Sequence, residues 1–321
     1  MCLYPRLIHN PKYKKNKKNG GIIPTINDAR TTLVPIGCGN CIECRKQKVN
    51  EWRIRMTEEL KDHTGWYVTL TFAEDSLQQI QKYQAEKNNG EIGNENDWAT
   101  TATRLFLERW RKKWGKSCTH WLITELGHEN TERVHLHGII WCNEIKINWL
   151  NRIWCYGFAD IGEYCSLRTI NYIVKYITKI DNDHPNFNGK ILCSPGIGDR
   201  YIRKTKDGKK IGEGYAFNRF NYDKTKEYYL TPQGWKLQLP IYYRNHIYTE
   251  KQREWLWINK MNQQQIWVLG TKYDISTKQG RKDYEKALKT AQQDNIRNGY
   301  GKIKWDNNIY QKSLKKANNW H

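Results

Sequence analysis

The chain has 321 residues, 54 Lys and Arg against 33 Asp and Glu, and a net charge of +21 at neutral pH. Hydrophobic residues make up only 38%, yet 15 Trp and 20 Tyr supply bulky apolar bodies that can close a core, which excludes a wholly disordered chain. No run approaches the roughly eighteen apolar residues of a membrane span, and the opening Met1-Cys2-Leu3-Tyr4-Pro5-Arg6 leads into charge, so neither insertion nor secretion is expected. The positive excess predicts a polyanionic partner, nucleic acid first, because each Lys or Arg set against a phosphate releases condensed counterions.

In chain order, residues 1–61 read as a basic arm, Lys12-Tyr13-Lys14-Lys15-Asn16-Lys17-Lys18, followed by a Cys-rich segment that runs into a helix. The arm suits phosphate contact or simple solvation. Trp52, Ile54, Met56 and Leu60 give the helix its apolar side, to about Lys61. Residues 62–180 read as a core. It starts with a strand at Trp66 to Phe72, rich in β-branched and aromatic residues. Ala73 to about Trp98 is polar and Gly/Asn-rich, an insertion with one short helix around Gln78 to Lys87. A helix from about Thr101 to Trp114 turns Leu105, Leu107 and Trp110 inward and Arg104, Arg109, Arg111, Lys112 and Lys113 outward, which makes these five, with Lys179, the expected DNA contacts. Strands at His120 to Leu126 and Val134 to Trp141 form an antiparallel hairpin through the turn Gly127-His128-Glu129-Asn130-Thr131. Helices follow at Ile145 to Trp154 and Leu167 to Lys179. Residues 181–321 form an extension with helical periodicity at Thr249 to Asn262 and Asp283 to Asn298. The irregular order of elements predicts an α+β fold with a central antiparallel sheet and flanking helices.

Three patterns carry chemistry. In Val134-His135-Leu136-His137-Gly138, alternation sends His135 and His137 to one face of a strand, where two imidazoles can ligate a divalent cation. An isolated pair of this kind more often lines a wet surface. Glu125, ending the other strand of the hairpin, adds a carboxylate, and such a set with open positions suits Mg²⁺ or Mn²⁺ acting on a phosphate. His120 and His128 are structural or surface alternatives. The second pattern is Tyr172, Lys175, Tyr176 and Lys179, a single stripe on a helix, with Ile173, Val174 and Ile177 on its other side. Two phenols with interleaved ammonium groups serve as nucleophiles, Lys175 favouring phenolate and steadying charge on phosphorus; tyrosines bordering a basic surface are the plainer alternative. The third is Cys38, Cys41 and Cys44, three cysteines at two-residue intervals. A zinc site there needs a fourth ligand from elsewhere, Cys2 or Cys193, and a redox-inert structural role competes with it. Nine cysteines, an odd and scattered number, favour reduced thiols in a cytoplasm.

In this order, the Val68-Thr69-Leu70-Thr71-Phe72 strand, the His-Leu-His strand and the Tyr-x-x-Lys-Tyr helix resemble the HUH endonucleases. Met1 to Arg6, the Cys38/Cys41/Cys44-Arg45 run leading to Glu51-Trp52-Arg53, Ile191 to Gly198 and Leu239 to Asn245 resemble the replication initiator proteins of microviruses, the gokushovirus-like phages. The resemblance implies an RRM/ferredoxin-like core with the histidines on a middle strand and the tyrosine helix across the sheet. It implies that His135, His137 and Glu125 hold the cation and that Tyr172 and Tyr176 are paired nucleophiles, with Lys175 between them. The implied activity is nicking of single-stranded origin DNA through a 5′-phosphotyrosyl intermediate, followed by religation, in rolling-circle replication within the cytoplasm of an infected bacterium. A host helicase and DNA polymerase are implied partners, since no nucleotide-binding Gly-x₄-Gly-Lys-Ser/Thr loop is present to drive unwinding. A non-catalytic basic binder and a metal nuclease that activates water are the alternatives.

Overall fold

The computed structural model describes all residues except 129, 130, 182, 185, 205–210, 302 and 319–321, and the backbone alone at 316–318. Two compact units are present: Met1–Lys48, Gly214–Tyr228 and Ile241–His321 form one, and Val49–Glu213 and Tyr229–Pro240 form the other.

In the first unit β1 (Arg6–His9) pairs antiparallel with β2 (Leu33–Ile36). The basic arm between them is built rather than trailing. It makes two short turns, at Pro11–Tyr13 and Lys17–Asn19; the Asn16 side chain accepts from the backbone of Lys18 and Asn19, and Lys12 Nζ lies 2.6 Å from Glu254. A core of Leu3, Tyr4, Cys41, Val268, Tyr284 and Leu288 closes the unit. The helix α1 (Ile42–Leu60) starts here and continues into the second unit, where Met56 is buried.

The second unit is built on a five-stranded antiparallel sheet. Its elements, in chain order, are β3 (Gly65–Leu70), α2 (Glu74–Lys87), α3 (Glu95–Trp114), β4 (Thr119–Leu126), β5 (Val134–Trp141), α4 (Ile147–Trp154), β6 (Ala159–Tyr164), α5 (Leu167–Ile173) and β7 (Ile191–Cys193). The strand order is β6-β3-β5-β4-β7, so the expected α+β class and central antiparallel sheet are present, with further elements before and after. β5 is the middle strand. One face of the sheet packs Val68, Leu70, Leu122, Leu136 and Ile140 against Leu77 and Ile80 of α2, Phe106 and Trp110 of α3, and Leu150 and Trp154 of α4. The other packs Trp121, Ile123, Ile139 and Trp141 against Met56 of α1 and against Ile170, Ile173 and Val174. Gly138 is required at the sheet centre: a Cβ there would lie 2.3 Å from the Trp121 carbonyl oxygen and 2.4 Å from Leu122 Cδ2.

Five elements depart from expectation. The polar stretch after β3 holds two helices, because Leu77, Ile80 and Gln84 give α2 a buried side and Asn94 and Asp97 cap each other reciprocally to start α3 at Glu95 rather than Thr101. The helix expected over Leu167 to Lys179 is α only as far as Ile173 and then tightens into a 3₁₀ turn, Val174–Ile177, at the β-branched pair Ile173-Val174. The edge strands β6 and β7 are not signalled in the sequence, since β6 carries Asp160, Glu163 and a glycine, which mask its alternation, and β7 is only three residues long. Residues 129 and 130 of the expected hairpin turn lie outside the described residues.

Arg109, expected on the outward basic side of α3, is instead half-buried. Its guanidinium donates to the carbonyls of Ile153 (2.7 Å) and Trp154 (3.1 Å) and to the Tyr156 hydroxyl (3.1 Å), closing the carboxyl end of α4. Its five donors suit this role better than a phosphate contact, because those carbonyls have no intrahelical partner. Replacing Arg109 with Ala should lower the unfolding free energy by about 2–3 kcal/mol, the scale of charged hydrogen bonds, measured by urea denaturation.

Candidate active site

The register of β4 with β5 sets Glu125 directly across from His135, and Ile123 across from His137. Opposed residues share a face, so the hairpin alone places one carboxylate beside two imidazoles. Both rings turn the same atom to the same oxygen: Nε2 lies 3.4 Å from Glu125 Oε2 in His135 and 3.2 Å in His137. On the far side His137 Nδ1 lies 2.9 Å from the Tyr67 hydroxyl and 3.1 Å from Thr69 Oγ1, while His135 Nδ1 is 3.4 Å from the Arg133 carbonyl oxygen. A carbonyl only accepts, so any hydrogen bond at that contact is donated by His135 Nδ1, and Nε2 is the ring atom turned to the carboxylate. A carboxylate oxygen that faces two imidazole nitrogens can be joined to them by an N–H donated from the ring or by one cation held among all three. With one donor atom from each residue within 4.8 Å of the others, the set fits a divalent cation and leaves positions for substrate oxygens.

The other oxygen of the same carboxylate, Oε1, accepts from the Lys179 ammonium. Burial alone would raise the Glu125 carboxyl, but its hydrogen bonds with His135, His137 and Lys179 outweigh that and hold it well below the usual carboxylate range. Lys179, an expected DNA contact, pairs with this carboxylate while its side chain stays 45% exposed, and it orients Oε2 toward the imidazoles.

The tyrosines lie on this same face. The Tyr176 ring stacks on His137, with centroids 4.9 Å apart and planes 21° from parallel, and Tyr172 meets Tyr67 edge-on at 6.1 Å. The two hydroxyls are hydrogen-bonded to each other at 2.9 Å. Burial, the bond with Tyr172 and the nearby Tyr67 and Glu125 push the Tyr176 phenol well above its usual range, so it holds its proton at neutral pH. Tyr172 is 49% exposed and opens the pair to solvent. Lys175 stands 5.8 Å over the Tyr172 ring, and Lys179 stands 6.0 Å over the Tyr176 ring.

The remaining candidates lie elsewhere. Arg104, Arg111, Lys112 and Lys113 are exposed on α3, in the helical layer on the opposite face of the sheet. His120 alternates away from Glu125, is buried, and is pushed down by that burial; its Nδ1 lies 2.9 Å from Ser194 Oγ. His128 pairs with Asp183 at 3.1 Å. Cys38, Cys41 and Cys44 belong to the first unit, where Cys2 joins them; Cys193 is in β7.

Sequence reading missed Tyr67 and Thr69 as supports of His137. Their signal was the alternation of β3, where Tyr67 and Thr69 share a face, but only the β3 to β5 register, Thr69 opposite His137, identifies which face. Gly162 of β6 completes the support, since a Cβ there would meet the Tyr67 ring at 2.9 Å.

Residues 65–181 match the model of a family of replication-associated proteins, the ORF2 type. That span includes Glu125, both histidines, both tyrosines and Lys179. Over 238 residues the chain is 26% identical to the replication-associated protein ORF2 of Spiroplasma virus 4, an alignment covering 64% of this chain and 71% of the relative. This chain is similar to viral replication-associated proteins. No solved structure matches it.

Removing the supports of His137, with Tyr67→Phe and Thr69→Val together, should weaken Mn²⁺ binding by about 10–100-fold, the usual cost of losing the partner of a ligating imidazole. Calorimetric titration measures it, and unchanged affinity would show that the imidazole needs no anchor.

Proposed function

We propose that this protein is a replication initiator of the HUH type: a metal-dependent endonuclease and strand transferase that nicks single-stranded origin DNA and religates it during rolling-circle replication of a phage genome. The observation that carries the reading is the stacking of Tyr176 on His137, which sets the hydroxyl-bonded pair Tyr172 and Tyr176 against the residues suited to a cation. The similarity to viral replication-associated proteins over residues 65–181 supports the same role.

His135 Nε2, His137 Nε2 and Glu125 Oε2 would hold Mg²⁺ or Mn²⁺. When bound, the cation polarises the scissile phosphate and offsets charge that builds on its oxygens. The protein's own groups do the rest. One phenol oxygen attacks phosphorus as the bond from phosphorus to the 3′ oxygen breaks; an O–P bond to tyrosine forms, and the departing oxygen takes a proton to become a free 3′-hydroxyl. Tyr176 can pass its proton through the 2.9 Å bond to Tyr172, which is half-exposed and meets water. Lys175, 5.8 Å over the Tyr172 ring, places an ammonium where negative charge builds during the attack. The phosphodiester energy is kept in the 5′-phosphotyrosyl bond, so the second tyrosine can attack after one replicated circle and the released 3′-hydroxyl can reclose the unit-length strand. Both side chains are phenols, so each can act as the nucleophile in its turn.

The exposed Arg104, Arg111, Lys112 and Lys113 would hold single-stranded DNA away from the reacting phosphate by phosphate contact. Among the described residues no helix is long and apolar enough to cross a membrane. The proposed setting is the cytoplasm of an infected bacterium, where a host helicase and polymerase supply unwinding and synthesis.

Labelled single-stranded origin DNA incubated with the protein and Mn²⁺, then run on a denaturing gel, tests the reading. A protein-linked product is expected; free hydrolysed product would replace the proposal with a water-activating nuclease, and intact DNA would leave a basic binder. Tyr172→Phe with Tyr176→Phe should reduce the linked species to background while leaving DNA affinity within about twofold, and His137→Ala should abolish both nicking and its dependence on Mn²⁺.

A further inference from the structure

We propose that Cys2, Cys38, Cys41 and Cys44 bind one structural zinc ion that fastens the amino-terminal segment to the start of α1. The hairpin of the first unit brings these residues together. Its register pairs Arg6 with Ile36, so the segment before Arg6, carrying Cys2, and the segment after Ile36, carrying Cys38, leave the same end of the ribbon side by side. Gly39, at φ 82°, turns the chain back between Cys38 and Cys41 in a left-handed conformation that a side chain would strain. One helical turn then places Cys44 beside Cys38.

The sulfur geometry suits a single tetrahedral ion. All four Sγ atoms lie within 4.8 Å of one another, and Cys38 with Cys44 and Cys41 with Cys2 are each 3.9 Å apart. Zinc at about 2.3 Å from each of four thiolates spaces them at about 3.8 Å. Neither pair is a disulfide, which needs about 2.05 Å, and all nine cysteines are free. A four-iron cube seats its thiolates on separate irons, farther apart than this set allows. The backbone N–H of Cys38 (3.2 Å) and of Tyr4 (3.3 Å) donate to Cys2 Sγ, and that of Cys41 donates to Cys38 Sγ (3.3 Å), the kind of N–H to sulfur contact that supports metal-bound sulfur. Gly37 leaves the room, since a Cβ there would touch Cys44 Sγ at 3.0 Å. Four sulfurs close the coordination sphere, so the site is structural, unlike the site at Glu125 with its open positions.

This inference is independent of the nicking chemistry. Full-length protein purified without chelators should contain one zinc per chain by inductively coupled plasma mass spectrometry. Cys41→Ser should lower that content at least about tenfold, and His135→Ala with His137→Ala should leave it unchanged. Absence of stoichiometric zinc, iron in its place, or zinc lost from the histidine variant instead would overturn the proposal. Because a cysteine variant can fail to fold, cobalt replacement in the unaltered chain supplies a second readout: intense visible bands and thiolate-to-cobalt charge transfer are expected, and the weak spectrum of octahedral cobalt would refute the site. A Cys2→Ser chain loaded with cobalt should show a blue-shifted spectrum with weaker charge transfer; an unshifted one would remove Cys2 from the ligand set.

Discussion

One nearly buried carboxylate organises the second unit. Taking a carboxylate out of water costs several kcal/mol unless partners restore what water supplied. Glu125, its side chain 11% exposed, regains it from one neighbouring strand and the segment after the 3₁₀ turn: His135 and His137 of β5 on one oxygen, Lys179 on the other. Those contacts fix the end of β4 against β5 and tie the chain after the 3₁₀ turn to the sheet. The two tyrosines are held in the same stroke, because Tyr172 in α5 and Tyr176 in the 3₁₀ turn lie just before Lys179 in the chain. A single acidic side chain therefore couples the residues suited to a cation with those suited to nucleophilic attack.

The middle strand serves two purposes along one face. His135 and His137 occupy its open end, while Ile139 and Trp141, the next two residues of the same alternation, enter the apolar layer with Trp121, Ile170 and Ile173. The polar set is consequently anchored to a packed surface, where side chains have few alternative rotamers. Tyr67 extends that rigidity: its hydroxyl meets His137, its ring lies against the backbone of Gly162, and its edge faces Tyr172. The α3 helix contributes from the other side of the sheet through packing, with Arg109 spent on the end of α4.

Two of the three groups of potentially metal-ligating side chains among the described residues are of opposite character. Four soft sulfurs in the first unit close around a point and match a structural ion, whereas two nitrogens and one hard oxygen in the second leave positions for substrate. Thiolates are soft donors that favour zinc, whereas a mixed imidazole and carboxylate set can also accept harder ions such as magnesium or manganese.

Much of this was legible in the chain alone. Local patterns determined it: period-two alternation placed His135 and His137 on one face, helical spacing put Tyr172 and Tyr176 on one stripe, and aromatic, β-branched runs marked β3, β4 and β5. These depend on neighbours within a turn or a strand, which the order of residues states directly. Strand register and packing decided the rest. Whether Glu125 faces the histidines, which of Tyr67 and Val68 supports them, whether Lys179 pairs with Glu125, and whether Cys2 rather than Cys193 joins Cys38, Cys41 and Cys44 are all pairings between distant segments. A one-residue slip in register would send every one of the strand residues to the opposite face, so only the assembled sheet could settle them.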